Sequence, residues 1–156
     1  MTWGGWSIER EVFDFMVETL PRDALVVELG SGAASIELAK QFRLVSYEHD
    51  LQFVANAQPP RWNIHHAQLV SDGWYDSSVV AATIPKSYSA LLIDGPPTGA
   101  RRLKMLNHLD LFDWEALVII DDLHRGEEKQ LASKLAAHVG RELRLVKCRQ
   151  KSFGVL

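Results

Sequence analysis

The chain has 156 residues, of which 47% are hydrophobic and 24% charged, a length and balance that fit one globular domain and exclude a disordered or fibrous chain. A net charge of -3 and a pI of about 6.1 argue against a general electrostatic hold on nucleic acid, which is therefore not an expected partner. The single cysteine, Cys148, excludes an internal disulfide and a Cys-rich zinc site, and points to a reducing, cytoplasmic setting.

Met1 to Trp6 lack a basic start and an apolar stretch, so no signal peptide is expected. The longest apolar runs have strand length, so no membrane span is expected either. From Ser7 to Leu20, Ile8, Val12, Phe15, Met16 and Leu20 recur at helical spacing, with Ser7 as N-cap and Pro21 closing the segment. Ala24 to Leu29 is a nearly continuous apolar run that reads as a strand buried on both faces. Gly30-Ser31-Gly32 follows, then a helix over Ala34 to Phe42, a strand over Arg43 to Glu48 and a short helix over Leu51 to Ala57. Trp62 to His66 is a weaker strand, and Gln68 to Asp76 reads as loop. Tyr88 to Asp94 is another buried strand, stopped by Gly95-Pro96-Pro97. A helix over Arg101 to Leu111, a strand over Ala116 to Asp121 and a helix over Glu127 to Val139 capped by Gly140 come next. Two closing strands, Glu142 to Lys147 and Ser152 to Leu156, leave no room for a helix between them and must form an antiparallel hairpin. Strands alternating with helices predict an α/β fold, a parallel sheet with right-handed crossovers.

In such a sheet, ligands bind beyond the carboxyl ends of the strands. Glu28, Glu48, Asp94 and the Asp121-Asp122 pair all fall at those ends. Like charges gathered on one rim cost stability unless cations or hydrogen-bond donors meet them. The alternative, that each merely caps the following helix, is weaker for the set than for any one member. Gly30, Ser31 and Gly32 allow backbone to approach a ligand closely, and the next helix offers free N–H groups. Glu48, ending the second strand, can accept two hydrogen bonds from a ribose diol.

Val26-Val27-Glu28-Leu29-Gly30-Ser31-Gly32 resembles motif I of the class I methyltransferases, in which an acidic residue stands two places before the first glycine. The third glycine of that pattern is Ala34 here. Ser46-Tyr47-Glu48-His49-Asp50 looks like motif II, and Arg141 to Leu156 matches the strand hairpin that ends the fold. The resemblance spans nearly the whole chain. It implies a Rossmann-like three-layer sandwich with seven strands in the order 3-2-1-4-5-7-6, in a single domain covering residues 1–156. It also implies an enzyme that transfers a methyl group from S-adenosyl-L-methionine to a small-molecule acceptor, a sugar or other metabolite, more readily at oxygen than at nitrogen. Small bacterial methyltransferases of unassigned substrate are similar at Trp74-Tyr75, Asp94-Gly95-Pro96 and Asp121 to Arg125.

On that resemblance Glu28, Gly30, Ser31, Gly32, Glu48, His49, Gln68 and Asp94 would bind the cofactor. Without a metal, Asp94 or His124 could act as general base, imidazole titrating near neutrality. A second resemblance, to catechol-type O-methyltransferases, implies a divalent metal such as Mg²⁺ held by Asp94, Asp121 and Asp122, with Asp122 where that family has Asn. Trp3, Trp6, Trp74 and Tyr75 could wall the acceptor, against ordinary packing of loop aromatics. Arg101, Arg102 and Arg125 could bind an anionic acceptor, against a solvated helix face. His65-His66 could flank an adenine, although a structural histidine is the commoner case. Lys147, Arg149 and Lys151 form a basic hairpin tip without interleaved aromatics. Asp94-Gly95-Pro96-Pro97 departs from the Asn/Asp-Pro-Pro-Tyr motif of amino-directed DNA methyltransferases, since glycine intervenes and Thr98 stands at the aromatic position.

Two other classes compete. Gly30-x-Gly32-x-x-Ser35 is a partial dinucleotide fingerprint, which keeps an NAD-dependent oxidoreductase open, although the closing hairpin argues against it. A non-catalytic cofactor-binding module is the other. The chain has little beyond the core sheet, so a second subunit could complete the acceptor site, and a homo-oligomer is among the expected partners.

Overall fold

The computed structural model describes residues 7–55 and 60–156. Seven strands form one sheet in the order β3-β2-β1-β4-β5-β7-β6, as the family resemblance implies. They are β1 (Leu25–Leu29), β2 (Arg43–Glu48), β3 (Trp62–His66), β4 (Ala90–Ile93), β5 (Leu117–Ile120), β6 (Arg144–Lys147) and β7 (Ser152–Val155). The first five pair in parallel, and β7 runs antiparallel to both β5 and β6.

The central strands are apolar on both faces, and their alternation builds two cores. Val26, Leu44, Ala90, Leu92 and Ile119 face one side, where α1 (Arg10–Thr19) contributes Val12 and Met16 and α2 (Ala33–Gln41) contributes Leu38. Val27, Leu29, Leu91, Ile93, Val118 and Ile120 face the other, under Val80 of α4 (Ser77–Thr83) and Leu131 and Leu135 of α6 (Gly126–Val139). The two remaining helices, α3 (Leu51–Val54) and α5 (Gly99–Arg102), are single turns beside the strand ends.

Local chemistry explains where the elements depart from expectation. The first helix begins at Arg10, after an extended Glu9, so Ser7 does not cap it. α4 follows the loop and is not among the expected elements; its signal is Asp76, whose carboxylate accepts the Ser78 N–H at 2.9 Å. The helix expected over Arg101 to Leu111 is broken into α5 and two 3-10 turns, Leu103–Asn107 and Leu109–Leu111. The break falls at His108, which leaves helical φ and stacks its ring on Trp74 at 4.4 Å. Gly140 takes the left-handed cap that its position at the end of α6 predicts. Among the described residues no helix is long and apolar enough to cross a membrane.

Candidate functional site

The carboxyl ends of β1, β2, β4 and β5 open into one cavity of about 780 Å³, within the size range of small-molecule sites. Its floor at the β1 end is the glycine turn. Gly30 sits at φ +87 and its Cα meets the backbone of Gly95, which follows β4. A Cβ on Gly95 would lie 2.2 Å from the Tyr75 hydroxyl and 2.8 Å from Gly30 Cα, so the two loops touch only because neither carries a side chain there. Gly32 has open space where a Cβ would project.

Two glutamates stabilise this turn in different ways. Glu48 accepts the Ser31 N–H at 2.8 Å on one oxygen and the His49 and Asp50 N–H groups at 2.7 Å on the other. A carboxylate has about four acceptor positions, so about one remains, rather than the two a ribose diol would take. Glu28 lies beneath the turn and does not line the cavity. It accepts from Ser35 Oγ at 2.9 Å and from Ser46 Oγ at 2.6 Å. Each hydroxyl is itself oriented by a donor, the Gly32 N–H at 3.0 Å and the Trp62 indole N–H at 2.9 Å. Two short relays therefore converge on Glu28 and tie α2, β2 and β3 to the turn. Burial pushes the Glu28 carboxyl up to about 7, against the hydrogen bonds from Ser46 and Ser35.

The β4–β5 end is built from ion pairs. Arg102 is buried to 4% exposure. Its guanidinium donates to the carbonyls of Pro96 and Asp94 and meets Asp94 Oδ1 at 3.3 Å, Asp122 Oδ2 at 3.2 Å and Glu128 Oε1 at 3.7 Å. α5 comes this close to α6 because Gly99 has no side chain; a Cβ there would lie 2.5 Å from Glu127 Cβ. Lys151, at the start of β7, reaches Asp122 Oδ1 at 3.0 Å and Asp121 Oδ2 at 3.7 Å. Arg125 meets Asp122 Oδ2 at 3.1 Å from the surface side. Burial and the neighbouring Asp121 charge raise the Asp94 carboxyl well above the ordinary range, with Arg102 opposing. Asp121 is raised by burial and by Asp122. Asp122 is lowered, because Lys151, Arg102 and Arg125 outweigh its own burial. Thr98 and Asp122 both hold left-handed φ, +75 and +62, and Thr98 as a β-branched residue is strained there. Both line the cavity.

No family model and no curated protein matches the sequence. Solved structures do. A methyltransferase from Pyrococcus furiosus superposes with a TM-score of 0.61 at 14% identity, over 93% of this chain and 79% of that one. The MycE methyltransferase of the mycinamycin biosynthetic pathway, solved with Mg and SAH, gives 0.62 at 13% identity, over 97% of this chain and 49% of its own. An rRNA methylase from Streptococcus thermophilus gives 0.52 at 13% identity, over 95% and 96% of the two chains. The fold is Rossmann-like, shared with these methyltransferases.

Within this fold, the expected site residues divide. Gly30, Ser31, Gly32, Glu48, His49 and Asp94 come together on the cavity wall. Arg125 and Asp122 join them. Gln68 does not: it is exposed, away from the lining, and its carbonyl accepts the Asp76 N–H. Trp74 is fully buried among Tyr75, His108 and Phe112, so core packing and not a ligand holds it. Arg101 is exposed and lies over Gly73, outside the cavity, while its neighbour Arg102 turns in. His124 is exposed and outside the lining, which leaves Asp94 as the base candidate at the cavity. His65 stacks on Tyr47 at 5.5 Å, and His66 bonds the His49 carbonyl. Trp3 and Trp6 lie outside the described residues.

Sequence reasoning passed over several lining residues. Lys151, expected at a basic hairpin tip, has a side chain only 10% exposed that turns inward. Tyr75 was paired with Trp74, yet only Tyr75 lines the cavity, its hydroxyl buried without a partner among the described residues. Ser31 Oγ is likewise buried and unpartnered. These orphaned hydroxyls, the bare Gly32 and the open position on Glu48 fit a polar nucleoside at the β1–β2 end. Asp94, Asp121 and Asp122 do come together, with one oxygen of each within 4.8 Å of the others. They fit a divalent ion poorly, because each already faces a protein cation.

Proposed function

We propose that the chain is an S-adenosyl-L-methionine-dependent methyltransferase acting on an oxygen of a small molecule, a sugar or other metabolite. The observation that carries this reading is the continuity of one cavity, from the glycine turn and Glu48 at one end to Asp94 at the other. Gly30, Gly32, Ser31 and Glu48 would hold the nucleoside, with His49 beside it. The cofactor bound there would supply an electrophilic methyl on a sulfonium.

What the protein's own residues contribute is alignment and one proton. In-line displacement gains most from holding the acceptor in place, and Asp94 and Tyr75 lie where an acceptor would meet the nucleoside end. A hydroxyl is a poor nucleophile until its proton leaves. The Asp94 carboxylate, raised by burial, is a stronger base than an ordinary aspartate, and its side chain keeps 24% exposure toward the cavity to take that proton. The chain as a whole carries a net charge of -3, which gives a phosphate backbone no general electrostatic hold and supports a small acceptor over nucleic acid.

Calorimetry with S-adenosylmethionine and with NAD separates the two cofactor classes. The reading requires binding of the first and not the second, weakened by roughly 1–3 kcal/mol in Glu48→Ala. Binding of NAD alone, or none of S-adenosylmethionine, would overturn it. Methyl transfer into a metabolite pool, lost in Asp94→Ala, separates an enzyme from a binding module.

A further inference from the structure

Asp94, Asp121 and Asp122 form a group of carboxylates of the kind that can hold a metal ion. Protein cations cross that group. Lys151 Nζ stands 3.0 Å from Asp122 Oδ1 and 3.7 Å from Asp121 Oδ2, and donates to the Ser7 carbonyl at 3.2 Å. Arg102 meets Asp122 Oδ2 at 3.2 Å and Asp94 Oδ1 at 3.3 Å. A Mg²⁺ ion needs oxygens at about 2.0–2.1 Å in near-octahedral array, which an ammonium among the same ligands would oppose by charge and by volume.

The position of Lys151 is itself secured. Glu9, buried at the start of α1, accepts the backbone N–H groups of Gln150 at 3.3 Å and Lys151 at 3.2 Å. Glu11 accepts that of Arg149 at 3.0 Å. The turn between β6 and β7 is thus clamped by α1, and Lys151 leaves it pointing into the cavity. An ammonium buried to this degree is costly unless paired, and here two carboxylates and a carbonyl meet it.

We propose that Lys151 is a positioning residue of the acceptor end, its ammonium standing where a divalent cation would stand, so that the wild-type carboxylate group binds no metal. Occupancy is independent of the methyltransferase reading; only its consequence, turnover without added metal, rests on it.

The test is Mn²⁺ titration of the full chain, followed by electron paramagnetic resonance. The wild type and Lys151→Arg are expected to leave Mn²⁺ free. Lys151→Ala is expected to gain Mn²⁺ affinity by roughly 10–100-fold, the scale on which groups around a metal site act, and to lose it again when Asp121→Asn is added. Lys151→Met, which keeps most of the apolar stem, serves if the alanine variant does not fold. Wild-type binding of Mn²⁺ that Asp121→Asn abolishes would overturn the proposal. So would a folded Lys151→Ala or Lys151→Met variant that gains no Mn²⁺. Failure of S-adenosylmethionine binding would overturn the function proposed above and leave this result standing.

Discussion

The two ends of the cavity handle buried carboxylates by opposite means. At the β1–β2 end, Glu28 and Glu48 are met by backbone N–H groups and by serine hydroxyls. At the β4–β5 end, Asp94, Asp121, Asp122 and Glu128 are met by Arg102, Lys151 and Arg125. Dipoles fix a backbone turn without bringing in a counter-charge. Cations neutralise a cluster whose members would otherwise repel one another. The first end is accordingly a shaped cradle, and the second a charged site in which Asp94 and Asp121 are raised and Asp122 is lowered.

Removing a cation should break this contrast most. Arg102→Met leaves two buried carboxylates, Asp122 and Glu128, and the partly buried Asp94 without their shared partner and should cost about 3–5 kcal/mol of stability at neutral pH. The loss should shrink in acid, because Asp94, whose carboxyl is raised, then protonates and needs no cation. Urea unfolding at two pH values measures this; an unchanged midpoint would mean that the ion pairs do not hold this end together. Gly95→Ala comes next. Its Cβ would meet the Tyr75 hydroxyl and the Gly30 backbone, which should cost about 1–3 kcal/mol. Adding Tyr75→Phe should recover part of the loss in a thermal melt, since it removes the nearest atom. No recovery would place the strain in the Gly30 contact alone.

The smallest effect is a slope. Glu28 has its carboxyl raised from 4.5 to about 7, so between those pH values the folded chain holds a proton that the unfolded chain has released. Its contribution is therefore favourable to folding near pH 4.5 and is lost as pH rises toward 7, by at most about 1.4 kcal/mol per pH unit. Glu28→Gln should flatten this component, read as the difference between wild-type and variant unfolding free energies at pH 5 and pH 8. Parallel profiles would show that Glu28 keeps an ordinary carboxylate affinity under its serine bonds.

Much of the frame was legible because it rests on short-range chemistry. Largely apolar runs from Leu25 to Leu29 and from Ala90 to Ile93, glycine and proline after them, and a closing pair of strands too near for a helix imply a parallel α/β sheet with an antiparallel ending, and the family resemblance implies its order. The glycine turn and Glu48 were legible for the same reason, since both follow directly from a strand end. The other half of the site was not. Arg101 and Arg102 are adjacent, and nothing local says which one turns inward; Gly99 packing on α6 decides it. Trp74 and Tyr75 are also adjacent, and the Trp74 stack on His108 consigns one to the core and leaves the other at the cavity.

The amino-acid sequence alone determined the α/β alternation, the antiparallel ending and the row of acids at the strand ends. Each of these is set by periodicity or by neighbours along the chain. Only tertiary structure decided which cations meet those acids. Glu28 finds Ser46, Asp122 finds Arg102 and Lys151, and Glu9 finds the β6–β7 turn across separations of 18, 20, 29 and about 140 residues. Pairings over such distances depend on how the helices seat against the sheet, and no local pattern carries that information.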